Sequence, residues 1–256
     1  MSIFARPAPS PPYSTINRTP DMSDAPIDDA LLDELRKFDT PTICNALEIV
    51  APERRGTGFT TGSMDVARPD LAPMVGFART ATYRSAQPST RPAGQVQAQR
   101  AAYYEYVETG DRPTISVLQD LDPEPGFGAF WGEVNSTIHS ALGCIGGITN
   151  GSIRDLDALA PGFQLLAGKI GPSHAYGHLV DFSCSVDIFS MVVENNDLIH
   201  ADRHGAVVIP NAVAAEIPAA IDLILRREKV ILDACREPGF TAETLRRVTA
   251  ESADIH

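Results

Sequence analysis

The stretch that most constrains this chain is Gly143 to Leu159, which reads Gly-Cys-Ile-Gly-Gly-Ile-Thr-Asn-Gly-Ser-Ile-Arg-Asp-Leu-Asp-Ala-Leu. An apolar run broken by glycines reads as a buried strand, and Asn150-Gly151 reads as the tight turn that ends it. That turn delivers two opposite charges, Arg154 and Asp155. Adjacent Arg-Asp pairs are mostly solvated neighbours, so this one gains meaning only from its context. Upstream, Gly126-Phe-Gly-Ala-Phe-Trp-Gly132-Glu133 leads into a helix-like run, and twenty residues separate Glu133 from Arg154.

Length and composition bound the remaining possibilities. The 256 residues fit one globular domain with tails, and a hydrophobic share of 43% can fill a core. A net charge of −12 argues against direct binding of nucleic acid, whose phosphates call for basic patches. Cys44, Cys144, Cys184 and Cys235 form no Cys-x-x-Cys pair and lie in apolar surroundings. They read as reduced core thiols of a cytoplasmic protein rather than as a zinc or redox site. No apolar run reaches the roughly 18 residues of a membrane helix, so no membrane partner is expected.

Residues 1–26 carry six prolines among Ser and Thr and read as a flexible extension, with a single domain over 27–256. Ile27, Leu31, Leu32, Leu35 and Phe38 share one helical face, and Thr40-Pro41 supplies an N-cap and first-turn proline for a second helix. Val75 to Tyr83 has a strand pattern. Gly94 to Thr109 has a helical one, with Val96, Ala101, Tyr104 and Val107 as its apolar stripe. Ile115 to Leu118, Phe163 to Lys169, Ser183 to Val193 and Gly205 to Pro210 read as strands. A long amphipathic helix is expected over Ala212 to Cys235, and Thr241 caps a last short one. The strand at 115–118, the glycine-rich loop and the helix after Trp131 together would place free N–H groups at a positive dipole end, which suits a carboxylate or phosphate. His174-x-x-x-His178 and His200-x-x-x-His204 have zinc-like spacing but lie on no convincing helix, so both read as loop-shaping pairs. His174 or His178 near the substrate loop is a further binding candidate.

Together these residues resemble the RraA-like family, which includes class II pyruvate aldolases acting on 4-hydroxy-4-methyl-2-oxoglutarate and 4-carboxy-4-hydroxy-2-oxoadipate. Its signature of an acidic residue, twenty positions and Arg-Asp is met by Glu133, Arg154 and Asp155. The likeness spans roughly Thr40 to Pro210. It includes Gly76-Phe-Ala-Arg-Thr-Ala-Thr82 and Asp197-Leu-Ile-His-Ala-Asp-Arg-His-Gly-Ala-Val-Val-Ile-Pro210. The resemblance implies an α/β domain with an αββα layered sandwich, related to swivelling phosphohistidine domains. It also implies a homotrimer or hexamer with sites between subunits, and Tyr103, Tyr104 and Trp131 are candidate interface aromatics.

By the same resemblance the chain is a lyase that splits a 2-oxo acid through a metal-stabilised pyruvate enolate, by retro-aldol cleavage or by oxaloacetate decarboxylation. Asp155 would hold Mg²⁺ or Mn²⁺ with waters, and Arg154 would bind the keto oxygen and carboxylate. Glu133 would orient a water that moves the proton. Backbone of Gly132, Glu133, Val134 and Asn135 would meet the substrate's acid group. The chain's three lysines, Lys37, Lys169 and Lys229, are placed on a strand and on surface helices, which agrees with chemistry that uses no Schiff base. Departures from the family pattern are Ala158, Asn150, His204 and Phe189-Ser-Met191. A rival reading is a non-catalytic regulator of the kind that inhibits an RNA-degrading endonuclease by protein contact.

Overall fold

Four strands whose residues are almost wholly buried run side by side at the centre of the domain, as continuous apolar runs do when both sheet faces are covered. The computed structural model describes residues 27–256; the proline-rich extension lies outside them. Two helices open the chain, α1 (Asp29–Leu35) and α2 (Thr40–Val50). After β1 (Asp65–Val66) come β2 (Met74–Arg84), α3 (Ala93–Glu108), β3 (Thr114–Asp120) and β4 (Ala129–Trp131). The middle of the chain forms α4 (Glu133–Ala141), β5 (Cys144–Ile153), β6 (Gln164–Ile170) and β7 (His178–Phe182). It ends with β8 (Val186–Ile188), β9 (Met191–Val193), β10 (Leu198–Asp202), β11 (Gly205–Ile209), α5 (Ile217–Arg236) and α6 (Ala242–Ala253).

The main sheet follows the order β1-β6-β5-β3-β2-β10-β11, with β4 beside β5 and β7 beside β2. Strands β2, β3, β5 and β6 are mutually parallel, and β4 is parallel to β5. Their carboxyl ends therefore share one edge, which is where open α/β sheets place ligands. Helices α1, α2 and α5 bury Leu35, Ile43, Leu47 and Ile221 against Phe77, Val207 and Ile209 on the outer face. Farther along that face, Tyr103 of α3 packs with Trp131, Leu118 and Leu165. The β8–β9 hairpin covers the inner face through Val186, Ile188, Met191 and Val193, against Ile115, Val117, Ile148 and Ile199. The layered α/β expectation is thus met by a curled sheet with helices outside and a small second sheet inside.

Several local expectations need correction. Asn150-Gly151 is not a turn: β5 continues to Ile153. The regular β3–β5 ladder ends at Thr149, and there the Asn150 side chain takes over its task. Asn150 Oδ1 accepts from Asp120 N–H at 2.7 Å, while its Nδ2 donates to the Asp120 carbonyl at 3.0 Å. An amide side chain offers both a donor and an acceptor, so Asn150 can stand in for the backbone pair that the ladder lacks here. The cap of α2 is Asp39 rather than Thr40, because the Asp39 carboxylate accepts from Thr42 N–H. On α3 the buried positions are Tyr103 and Val107, and Ala101 is exposed. Tyr103 and Trp131 are fully buried within the chain, so neither can serve a subunit interface. Of the four thiols expected in the core only Cys144 is buried, and Cys235 is exposed.

His200 and His204 serve the scaffold. His200 Nε2 donates to the Phe38 carbonyl at 3.1 Å, while its Nδ1 meets the Thr40 hydroxyl at 3.0 Å. Asp202 accepts from Thr40 N–H and His204 N–H, tying α2 to β10. A second buried chain runs from Ser116 through the Tyr103 hydroxyl to His139 Nε2, and His139 Nδ1 donates to the Asn135 carbonyl. Burial pulls the His139 pKa down to about 4 from its ordinary 6.5.

Below pH 6.5 the unfolded chain takes up a proton at His139 that the folded chain refuses until about pH 4, so stability falls across that window. The loss should reach roughly 3 kcal/mol at the acid end, at 1.36 kcal/mol per pKa unit. Urea unfolding at stepped pH is expected to show this slope, and His139→Gln to flatten it.

Candidate active site

At the carboxyl edge of the parallel strands, Ile153 is followed by Arg154 and Asp155, and Trp131 by Gly132 and the first turn of α4. Asp155 has φ 53° and ψ 42°, the left-handed region that Asp tolerates better than most residues. Its side chain turns back on the start of α4. Oδ2 accepts from Glu133 N–H at 3.3 Å and lies 3.5 Å from Arg154 Nε. A Cβ at Gly132 would come within 2.5 Å of Asp155 Oδ2 and 3.1 Å of Arg154 Cγ, so only glycine permits this approach.

Stability does not explain this arrangement. A left-handed non-glycine residue costs about 1 kcal/mol or more. The ion pair is about one-third exposed on both sides, and such pairs return about 0–1 kcal/mol. The Arg154-Asp155 turn therefore gains nothing for the fold that a plain turn would not, which makes it a candidate for function.

A cleft of about 290 Å³ opens beside it, lined by Gly132, Val134, Asn135, Arg154, Tyr83, Arg100, His174 and His178 among others. Gly132 caps α4 without a side-chain hydrogen bond, and the N–H groups of Val134 and Asn135 find no acceptor among the described residues. These free donors and the helix dipole favour an anion. Among the described residues no carboxylate lines the cleft. Among the expected site residues, Gly132, Val134, Asn135 and Arg154 line it, while Asp155 and the exposed Glu133 stand at its margin.

Two lining residues carried no local sequence signal. Tyr83 is buried at the end of β2, its hydroxyl donating to the Gly128 carbonyl, and burial raises its pKa beyond the ordinary tyrosine value. Arg100 stands on α3, held by Asn135 Oδ1 at 3.4 Å and by the Tyr104 hydroxyl at 3.2 Å. His174 and His178, noted for their spacing, both reach the cleft from a loop and from β7. Ala158 and Asp157 fall in an exposed 3-10 turn, Leu156–Ala158.

A family model described as Aldolase/RraA matches residues 23–208. The chain belongs to the RraA-like family. A protein of this family from Streptomyces coelicolor, RraAS2, called an unusual member of the RNase ES inhibitor RraA family, has 23% identity and a TM-score of 0.60. The alignment covers 79% of this chain and 95% of that one. An uncharacterized protein from Pseudomonas syringae pv. tomato str. DC3000 superposes with a TM-score of 0.66 at 23% identity, over 90% of this chain and 99% of the other. At such identities the likeness is one of fold. No curated protein matches the chain.

Substituting Gly132→Ala should force both the Asp155 carboxylate and the Arg154 side chain away from the start of α4, taking the guanidinium out of line with the anion, while leaving the fold intact. Far-UV circular dichroism is expected to be unchanged, and calorimetry with oxalate as a small anion to show binding weakened about tenfold or more, as loss of an aligned charge-assisted contact implies.

Proposed function

We propose that the protein is a divalent-metal-dependent lyase that cleaves a 2-oxo acid through the enolate of pyruvate. The substrate is a 4-hydroxy-2-oxo acid resembling 4-hydroxy-4-methyl-2-oxoglutarate, split by retro-aldol cleavage, or oxaloacetate, split by decarboxylation. The observation that carries this reading is the composition of the cleft. In a chain of net charge −12 its lining among the described residues holds Arg100, Arg154, His174 and His178 and no carboxylate, with Asp155 and Glu133 at the margin.

Each residue has a task suited to its chemistry. The substrate carboxylate meets the open N–H groups of Val134 and Asn135 at the start of α4. Arg154, always charged and planar, faces the oxygen on which negative charge grows as the carbon–carbon bond breaks. Glu133, exposed beside Asp155, steers a water that carries the proton.

Asp155 is the candidate metal ligand. Its Oδ2 is taken up by Glu133 N–H and Arg154, while Oδ1 has no hydrogen bond among the described residues. No three His, Cys, Asp or Glu side chains there gather into a protein cage. One carboxylate about one-third exposed fits Mg²⁺ or Mn²⁺, which keep several waters, better than it fits zinc. When bound, such a cation supplies Lewis-acid stabilisation of the developing negative charge. A purely protein-binding regulator has no need of the strained acidic turn or of a cleft lined with cations.

Purified protein supplied with Mg²⁺ and a panel of 2-oxo acids is expected to release pyruvate, followed by a coupled assay. Asp155→Asn should fall to near background, and Glu133→Gln should lower kcat more than metal affinity. Arg154→Lys should lose about 100-fold to 1,000-fold, the usual effect of removing one donor to an oxyanion. Full activity after EDTA treatment, or an unimpaired Arg154→Lys, would overturn the enolate reading and leave protein binding as the better one.

We also propose a homotrimer or a pair of trimers. Its contact surface is drawn from Phe127, Val134, Ile170 and Tyr176, which are more than half exposed on segments bordering the site. Light scattering at micromolar concentration is expected to give at least three times the chain mass, and a monomer would refute the assembly.

A further inference from the structure

One wall of the cleft carries two imidazoles that the tasks above leave unused. His174 Nδ1 lies 2.8 Å from the Ala175 carbonyl, and His178 Nδ1 lies 2.8 Å from the Tyr176 carbonyl. A carbonyl only accepts, so each Nδ1 is the protonated nitrogen, and in the neutral ring each Nε2 keeps its lone pair. Both rings line the same cleft as Arg154.

Their supports differ. His174 is exposed in the loop between β6 and β7. His178 is half-buried and opens β7, in register with Arg84 of β2. That strand is clamped to α3 by Gln99 Nε2, which donates to the Val180 carbonyl at 2.6 Å, and to the segment before α3 by Arg91 Nη2, which donates to the same carbonyl at 3.1 Å. A proton-transfer group acts within hydrogen-bond reach of one atom, so the better-held ring is the better candidate. Its charged and titratable surroundings are Tyr83 and Arg84 from β2, Arg100 from α3, Arg154, and His174 from its own loop. Asp122 lies 3.8 Å from Arg84 on the side of β3.

Resting on the reading that a pyruvate enolate forms beside Arg154, we propose that His178 Nε2 is the base and acid that exchanges the proton with the substrate itself, while the water steered by Glu133 carries that proton between His178 and solvent. It takes a proton from C3 of pyruvate. The C–H pair becomes the C2–C3 double bond, and the carbonyl pair moves onto oxygen; the reverse step returns the proton. With a 4-hydroxy-2-oxo acid it takes the hydroxyl proton, the C3–C4 bond breaks as the C4 carbonyl forms, and the proton passes to C3. Loss of CO₂ from oxaloacetate breaks its bond without a base and needs only the closing protonation.

This difference separates a catalytic His178 from a structural one. Proton NMR in D₂O follows exchange of the pyruvate methyl protons and, separately, the disappearance of oxaloacetate, with protein and Mg²⁺ present. His178→Gln is expected to slow methyl exchange about 100-fold or more while slowing oxaloacetate loss far less, as removal of a general base implies. Imidazole added to His178→Ala should restore part of the exchange. Exchange that persists in His178→Gln, an equal fall in both rates, or a loss that follows His174→Gln instead overturns the assignment. A wild type that consumes oxaloacetate without exchanging pyruvate overturns it alone. A wild type that does neither overturns the function reading and this role together.

Discussion

The carboxylate of Asp155 sits against the backbone of Gly132, and the rest of the site depends on that contact. It joins the end of β5 to the start of α4, two segments brought together because β4 and β5 lie parallel and end at the same edge. Remove the glycine and the carboxylate must move; remove the left-handed turn at Asp155 and it never arrives. The contact occupies one oxygen of Asp155 and fixes the direction of the other. It also leaves the N–H groups of Val134 and Asn135 open, because Gly132 has no side chain to cap them. One small residue therefore provides room for the carboxylate and an uncapped helix start beside it.

How much of this was legible in the sequence depended on how local each signal was. Trp131-Gly132-Glu133 and Arg154-Asp155 stood out because a strand, a glycine and a helix start follow one another within a few residues. The buried helical and strand patterns were readable for the same reason. Asn150-Gly151 misled because the dipeptide is a strong turn signal, yet here the side chain bridges to Asp120 and carries the strand onward. The far wall of the cleft was hidden for a different reason. Tyr83 and Arg100 come from β2 and α3, and only tertiary pairing brings them together beside His178, which its spacing to His174 had already singled out. Tyr103 and Trp131 were expected at an interface because aromatics often lie there, but the outer face of the sheet buries them first.

The inner layer bears on the site as well. The β8–β9 turn places Phe189 at φ 51° and Ser190 at φ 74°, the geometry of a type I′ hairpin without its usual glycine or asparagine. Such a turn costs of order 1–3 kcal/mol per strained residue. It persists because Ile188 and Met191 on either side are fully buried, and because Phe189 wedges against Gly62 and Gly168. Gly168 belongs to β6, whose end lies next to the end of β5. A hairpin held under tension thus braces the strands that present Arg154 and Asp155. A rigid scaffold is what a short, strained active turn requires.

The charge distribution decides how an anion can reach such a site at all. A chain of net charge −12 repels a carboxylate at long range, but at physiological ionic strength the Debye length is about 8 Å, and charges farther off are largely screened. Within that distance the cleft presents two arginines, two imidazoles and an open helix start, and no carboxylate among the described residues of its lining. At such distances the local field of the cleft, rather than the net charge, therefore governs what an anion meets. Asp155 and Glu133 at the margin complete the pattern. In the proposed reaction they would place negative charge where a cation and a proton are handled, away from the substrate's own charge.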